Sequence, residues 1–174
     1  MNIKTRPLSQ AEFQRLLVET PNPWRSIFTL AYCSGLRVSD LLSLKRLPIG
    51  YEITLIEKKT HRKNTIPINP PMREAWMYLY NFHNGEFLLP YRDPSTYRKA
   101  LVRFCKRSNI SPYRIAFHSI RKTTATTIYQ SLGFVAASRF LNHVKLTTTM
   151  RYIELDAIEV SNLLESSFHF SGGK

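Results

Sequence analysis

A mainly α-helical domain with one small antiparallel β-hairpin is the fold this sequence predicts, on three observations. Apolar residues recur at helical spacing through most of the chain. Helix-starting and helix-stopping residues flank those stretches. From Tyr51 to Ile68 the pattern turns β-branched and alternating. A length of 174 residues suits one well-buried domain, and a hydrophobic fraction of 43% with 10 Phe, 9 Tyr and 2 Trp is enough to fill its core.

Ser9-Gln10-Ala11-Glu12 reads as a capping box ahead of Phe13, Leu16 and Leu17, so a first helix should run from about Gln10 to Val18. Pro21 and Pro23 punctuate. A more apolar helix, about Trp24 to Ser34, stops at Gly35, and a third starts near Ser39 with Leu41, Leu42 and Leu44 on its buried side. Arg37 falls in the turn between them. Glu52 to Ile56 and Thr65 to Ile68 pair as the hairpin across a polar, basic stretch, with Pro67 keeping the second strand at an edge. Further helices are expected over 71–82, 94–107, 117–132, 134–141 and 156–166. The stretch 167–174 reads as a flexible tail, and no second-domain linker or internal repeat is visible.

Twenty-five Lys and Arg against 12 Asp and Glu leave a net charge of +13, which makes a polyanion, and nucleic acid first, the partner to consider. The excess is uneven. Residues 92–122 hold nine basic residues and one acid, Asp93, while residues 154–165 hold Glu154, Asp156, Glu159 and Glu165 with no base. The helix from Pro94 should turn Tyr97, Leu101, Phe104 and Cys105 inward and Lys99, Arg103, Lys106 and Arg107 outward, with Arg98 at the boundary. Cys33 and Cys105 stand at no metal-ligand or disulfide spacing and read as reduced core residues. No apolar run approaches a membrane span, so a soluble, cytoplasmic protein is expected.

Six residues carry the chemistry: Arg37, Lys59, His118, Arg121, His143 and Tyr152. His118 and Arg121 lie at i and i+3 of a helix, on one face, where both can reach a single phosphate. Arg37 and Arg121 would form a planar, permanently charged clamp on non-bridging phosphate oxygens. Asp40, three residues after Arg37, is positioned to orient its guanidinium. Lys59, at the hairpin tip, could enter a DNA groove and protonate a leaving oxygen. A tyrosine is a poor nucleophile near its reference pKa of ~10, so Tyr152 needs a base and a cationic phosphate site beside it. His118, His143 and the arginines could supply both. Taken singly, each residue has an ordinary role as a surface pair, helix cap or packing group; their order and spacing argue otherwise.

The segment Ala31 to Leu41, the lysine seven residues before Ile66-Pro67-Ile68, His118-Ser119-Ile120-Arg121, and Leu141-Asn142-His143 with the nine-residue step to Tyr152 together resemble the catalytic domain of the tyrosine recombinase (phage integrase) family. The likeness covers about residues 5–165 and implies that family's catalytic-domain fold. Asp40 stands where the family more often has Glu, Lys122 where His is usual, and Asn142 where Gly is usual. Nothing before Pro7 matches the family's N-terminal DNA-gripping helical domain. Either a small recombinase complete in itself or a catalytic fragment fits that pattern.

The resemblance implies a site-specific, metal-independent DNA recombinase. Tyr152 would attack a phosphate to form a 3′-phosphotyrosyl link, Lys59 would protonate the departing 5′ oxygen, His118 would move the tyrosine proton, and His143 would position the phosphate. It requires no cofactor. Double-stranded DNA is the expected partner, with Lys58, Arg62, Lys63, Arg98, Lys99, Arg103, Lys106, Arg107 and Lys122 as DNA-binding residues. The assembly implied is a homotetramer on two DNA sites, with a monomer in free solution as the alternative, associated with the nucleoid when bound. Other classes are a catalytically silent DNA-binding regulator of the same fold, a type IB topoisomerase-like enzyme, and a metal-dependent nuclease, for which the chain lacks a convincing carboxylate cluster.

Overall fold

The elements run α1 (Gln10–Glu19), α2 (Trp24–Ser34), α3 (Val38–Leu41), β1 (Glu52–Ile56), β2 (Lys63–Pro67), α4 (Pro70–Phe82), α5 (Pro94–Arg107) and α6 (His118–Phe140) in the computed structural model, which describes residues 4–142. The capping box forms as expected: the Glu12 amide donates to Ser9 Oγ at 3.1 Å and the Ser9 amide donates to Glu12 Oε2 at 2.8 Å. The same carboxylate takes both Nη atoms of Arg6, at 2.8 and 2.9 Å, and so ties the incoming chain to the start of α1.

Helix α2 is the axis of the core. Ile27, Phe28, Leu30 and Ala31 are buried, and the helix packs chiefly on α4 and α6, with α1 beside it. Trp24 and Phe28 meet Tyr97 and Phe104 of α5 and Phe117 at ring separations of 5.7 to 6.4 Å. Each such aromatic pair adds about 0.5–1.5 kcal/mol beyond its buried area. The inward face expected for α5, Tyr97, Leu101, Phe104 and Cys105, is buried, and its basic residues are exposed.

The third helix is shorter than its apolar pattern implied. It ends at Leu41, yet Leu41, Leu42 and Leu44 are all buried, because the chain continues in extended form, pairing Lys45 with Phe87 and accepting the Leu88 amide at the Leu44 carbonyl (2.9 Å), rather than as a helix. The strands pair antiparallel in the register Ile53↔Ile66 and Thr54↔Thr65, which puts both isoleucines on the core face. The second strand begins at Lys63, two residues earlier than expected, and Pro67 sits at its end opposite Glu52.

Gly133, at φ +79°, divides α6 where the sequence separates two helices. The first part is unusually polar inside: Ser119, Arg121, Lys122, Thr123 and Thr124 are all buried. The hydroxyls of Ser119, Thr123 and Thr124 are used. Thr124 Oγ1 donates to the Tyr32 carbonyl at 2.8 Å, and Thr123 Oγ1 accepts from the Leu8 amide at 2.9 Å. These bonds pin the start of α6 to α2 and to the segment that leads into α1. Among the described residues no helix is long and apolar enough to cross a membrane. The helix expected over 156–166 and the tail 167–174 lie outside the described residues.

Gly35 closes α2 at φ +59°, and a Cβ there would stand 2.9 Å from the Phe140 ring and 3.2 Å from Leu141 Cδ2. Backbone strain and overlap then act together. Gly35→Ala is expected to lose about 1–3 kcal/mol of stability, as read by urea denaturation.

Candidate active site

Arg37 occupies the N-cap position of α3, in extended backbone immediately after the turn that Gly35 makes possible. Its Nη1 donates to Glu57 Oε2 at 2.8 Å and lies 3.8 Å from Asp40 Oδ2. Both carboxylates are fully buried, and the arginine side chain is 14% exposed. Among the described residues none accepts from its Nε or Nη2, which leaves most of the fork available to an anion.

Asp40 was the partner expected from sequence, and Glu57 is the nearer one. Asp40 works mainly on the hairpin, where its Oδ1 accepts from the Lys58 amide at 2.9 Å. Glu57 was missed because an acid beside Lys58 and Lys59 reads as part of a solvated hairpin tip. One signal was there: it is the sole acid between residues 53 and 73. Burial acts to raise its carboxyl, but hydrogen bonds from Thr60 and Arg37, with the charges of Arg37 and Arg121, hold it below the ordinary carboxylate value.

Arg121 is 2% exposed. Its Nη1 donates to the Gly35 carbonyl and its Nη2 to the Leu141 carbonyl at 2.9 Å, so one guanidinium binds the C-terminal ends of α2 and α6. His118 lies one turn earlier on α6 and is half-buried. Burial first, then the charges of Arg121, Lys122, Arg37 and Lys59, push its pKa down to about 4. The imidazole is therefore neutral at pH 7 and able to accept a proton. Arg37, His118 and Arg121 thus come together, with exposed Lys59 close enough to act on the imidazole. His143 and Tyr152 lie outside the described residues.

Lys58, Arg62 and Lys63 are exposed around Lys59, and Arg98, Lys99, Arg103, Lys106 and Arg107 are exposed along α5. Lys122 is a correction to the DNA-binding set. Its side chain is buried and its ammonium donates to the Thr5 carbonyl, because α6 turns this position toward the incoming chain. Asn142, whose left-handed backbone (φ +52°) suits the glycine usual there, donates from Nδ2 to the Lys63 carbonyl at 3.3 Å. That bond joins the hairpin to the residue preceding His143.

An arginine turn, a hairpin lysine and a His-x-x-Arg helix thus gather basic residues around one half-buried histidine on a mainly helical scaffold. The chain belongs to the phage integrase family, whose sequence model matches residues 6–159. It is 27% identical over 190 residues to the tyrosine recombinase XerC of Rhodospirillum centenum, which covers 93% of this chain and 54% of that protein. The chain thus spans about half the length of that relative. In fold it is similar to a crystal structure of XerA recombinase, with a TM-score of 0.79 at 17% identity over 97% of this chain and 66% of the other. It is also similar to a lambda integrase tetramer bound to a Holliday junction, with a TM-score of 0.73 at 19% identity over 88% and 49% of the two chains.

The depressed pKa of His118 sets a pH dependence. Its unfolded value is near 6.5, so the unfolded chain binds more protons between that pH and about 4, and stability falls as pH drops through this window. The loss expected by pH 4.5 is about 2–3 kcal/mol. Urea denaturation at pH 7 and pH 4.5 should show it, and His118→Asn should remove it.

Proposed function

We propose that this chain is the catalytic unit of a site-specific DNA recombinase that cleaves and rejoins strands through a 3′-phosphotyrosyl intermediate, folded as a single domain. The observation that carries the reading is the neutral imidazole of His118 held among Arg37, Arg121 and Lys59. A site of this kind stabilises negative charge on a phosphate while keeping a proton acceptor beside it. Membership of the phage integrase family and the similarity to DNA-bound recombinase structures support it.

In this reading the Tyr152 oxygen attacks phosphorus as its proton passes to His118. The bond from phosphorus to the 5′ oxygen breaks, and Lys59 supplies the proton that the leaving oxygen takes up. Arg37 and Arg121 bind the non-bridging oxygens, where charge builds in the transition state, and His143 hydrogen-bonds the same phosphate. The new phosphotyrosyl bond replaces one phosphodiester with another, so attack by a 5′-hydroxyl from a second duplex is close to isoenergetic. No metal or nucleotide cofactor enters this sequence. The exposed cations of the hairpin and of α5 bind the DNA backbone. Four copies acting on two duplexes complete the exchange, as in the integrase tetramer on a Holliday junction, and the protein works in the cytoplasm, on the nucleoid.

Nicked suicide duplexes made from the DNA flanking this gene test the reading directly. A covalent protein–DNA adduct should form in EDTA and be absent from Tyr152→Phe, and Lys59→Ala should slow its formation by about 10²–10⁴-fold. Binding without an adduct in the parent protein would favour the regulator. Affinity should fall steeply with salt, with a logarithmic slope of about 0.9 per phosphate neutralised. Removing Arg103 and Lys106 together should lower that slope.

A further inference from the structure

Glu57 has no role in the chemistry just described, yet it is a fully buried carboxylate paired directly with Arg37 and two residues from Lys59. Its Oε2 accepts from Arg37 Nη1 at 2.8 Å and from Thr60 Oγ1 at 2.8 Å, and its Oε1 accepts from Asn64 Nδ2 at 3.0 Å. Its backbone closes the same turn: the Glu57 amide donates to the Arg62 carbonyl at 3.0 Å and the His61 amide to the Glu57 carbonyl at 2.9 Å. Lys59 lies within this turn, next to Thr60. One oxygen atom therefore holds both the guanidinium that would clamp the phosphate and the residue adjoining the lysine that would protonate the leaving group.

Resting on the recombinase reading, we propose that Glu57 is a positioning residue that sets the Arg37 guanidinium and, through Thr60, the turn presenting Lys59 in one common register. A buried carboxylate with three donors, one of them a directly paired guanidinium, has little freedom to reorient. It occupies Nη1 alone, so the rest of the fork keeps a fixed aim toward the anion site. Asp40 complements it from the other side through the Lys58 amide. A hairpin that would otherwise pivot is tied to the arginine turn at two successive positions, Glu57 and Lys58.

A simple counterion makes different predictions. Neutralising a counterion would strengthen the hold of Arg37 on phosphate, and shortening it by one methylene while keeping its charge would do little. A positioning residue fails in both cases, with chemistry lost and binding kept. The test uses the full chain with Glu57→Gln, Glu57→Asp and Thr60→Val, and two readouts. The first is NMR of the Arg37 guanidinium in ¹⁵N-labelled protein. Restricted, resolved Nη resonances are expected in the parent, averaged ones in both Glu57 variants, and restricted ones in Thr60→Val. The second is single-turnover adduct formation on the nicked duplexes at saturating protein. The Glu57 variants should be slowed by at least about 30-fold and Thr60→Val by about 3–10-fold, with DNA affinity within about threefold of the parent.

Averaged Arg37 resonances in the parent would overturn the proposal whatever the activity. So would parental cleavage rates in Glu57→Asp, or slowing matched by an equal loss of DNA affinity. A fixed guanidinium released in the Glu57 variants, with no adduct from the parent, would reject the recombinase reading and leave the positioning of Arg37 standing. Should Glu57→Gln not fold, Glu57→Asp and Thr60→Val carry the same comparison with the charges kept.

Discussion

Like-charge repulsion is the constraint around which this molecule is organised. Arg37, Arg121, Lys122 and Lys59 all act on one half-buried imidazole, and a partly buried site screens such charges far less than water does. Two fully buried carboxylates, Glu57 and Asp40, stand against them. Their arrangement is unequal: Glu57 takes the arginine directly, while Asp40 holds the backbone of the hairpin turn. Backbone carbonyls supply the remaining negative potential, at the ends of α2 and α6 around Arg121 and at Thr5 around Lys122. A surplus of positive potential is left over around the imidazole.

The scaffold serves this balance with few elements. Gly35 turns the chain so that its carbonyl reaches Arg121 while Arg37, two residues on, faces the hairpin. Thr124 and Thr127 of α6 bind Tyr32 of α2 by hydrogen bonds where leucines would have packed, which keeps the helix carrying His118 and Arg121 in fixed alignment with the arginine turn. The aromatic cluster of Trp24, Phe28, Tyr97, Phe104 and Phe117 joins α2 to α5 and to the N-cap of α6 and supplies apolar burial.

Local signals made most of the fold legible in the sequence. The capping box at Ser9, the glycine after Ser34, the proline before Ser95 and the glycine between Leu132 and Phe134 mark helix boundaries through backbone chemistry that needs no tertiary context. The third helix was overextended because its later leucines are buried on a stretch that pairs with residues 86–88 instead of coiling, and burial alone does not distinguish a helix from a packed extended segment. In the site, Arg37, His118 and Arg121 were recognisable by spacing. Glu57 and Lys122 were not, for one reason: a charged residue in a charged run looks solvated until the fold turns it inward. Only the pairing of distant segments shows that Glu57 faces Arg37 and that Lys122 faces Thr5.

Arg121 bridges the ends of two helices that are far apart in sequence, at Gly35 and Leu141. It is a clasp as well as a charge. A lysine would bring the same charge as a compact point on a flexible stem, without the planar fork that reaches both carbonyls in this geometry. The carbonyl left over would be a buried, orphaned acceptor. Architecture and electrostatics are thus fused at this position, and the substitution that conserves charge is among the most disruptive available. Arg37, anchored through one nitrogen, separates the two. Natural variation in chains of this kind should therefore tolerate change at the anchor of Arg37 sooner than at Arg121 itself.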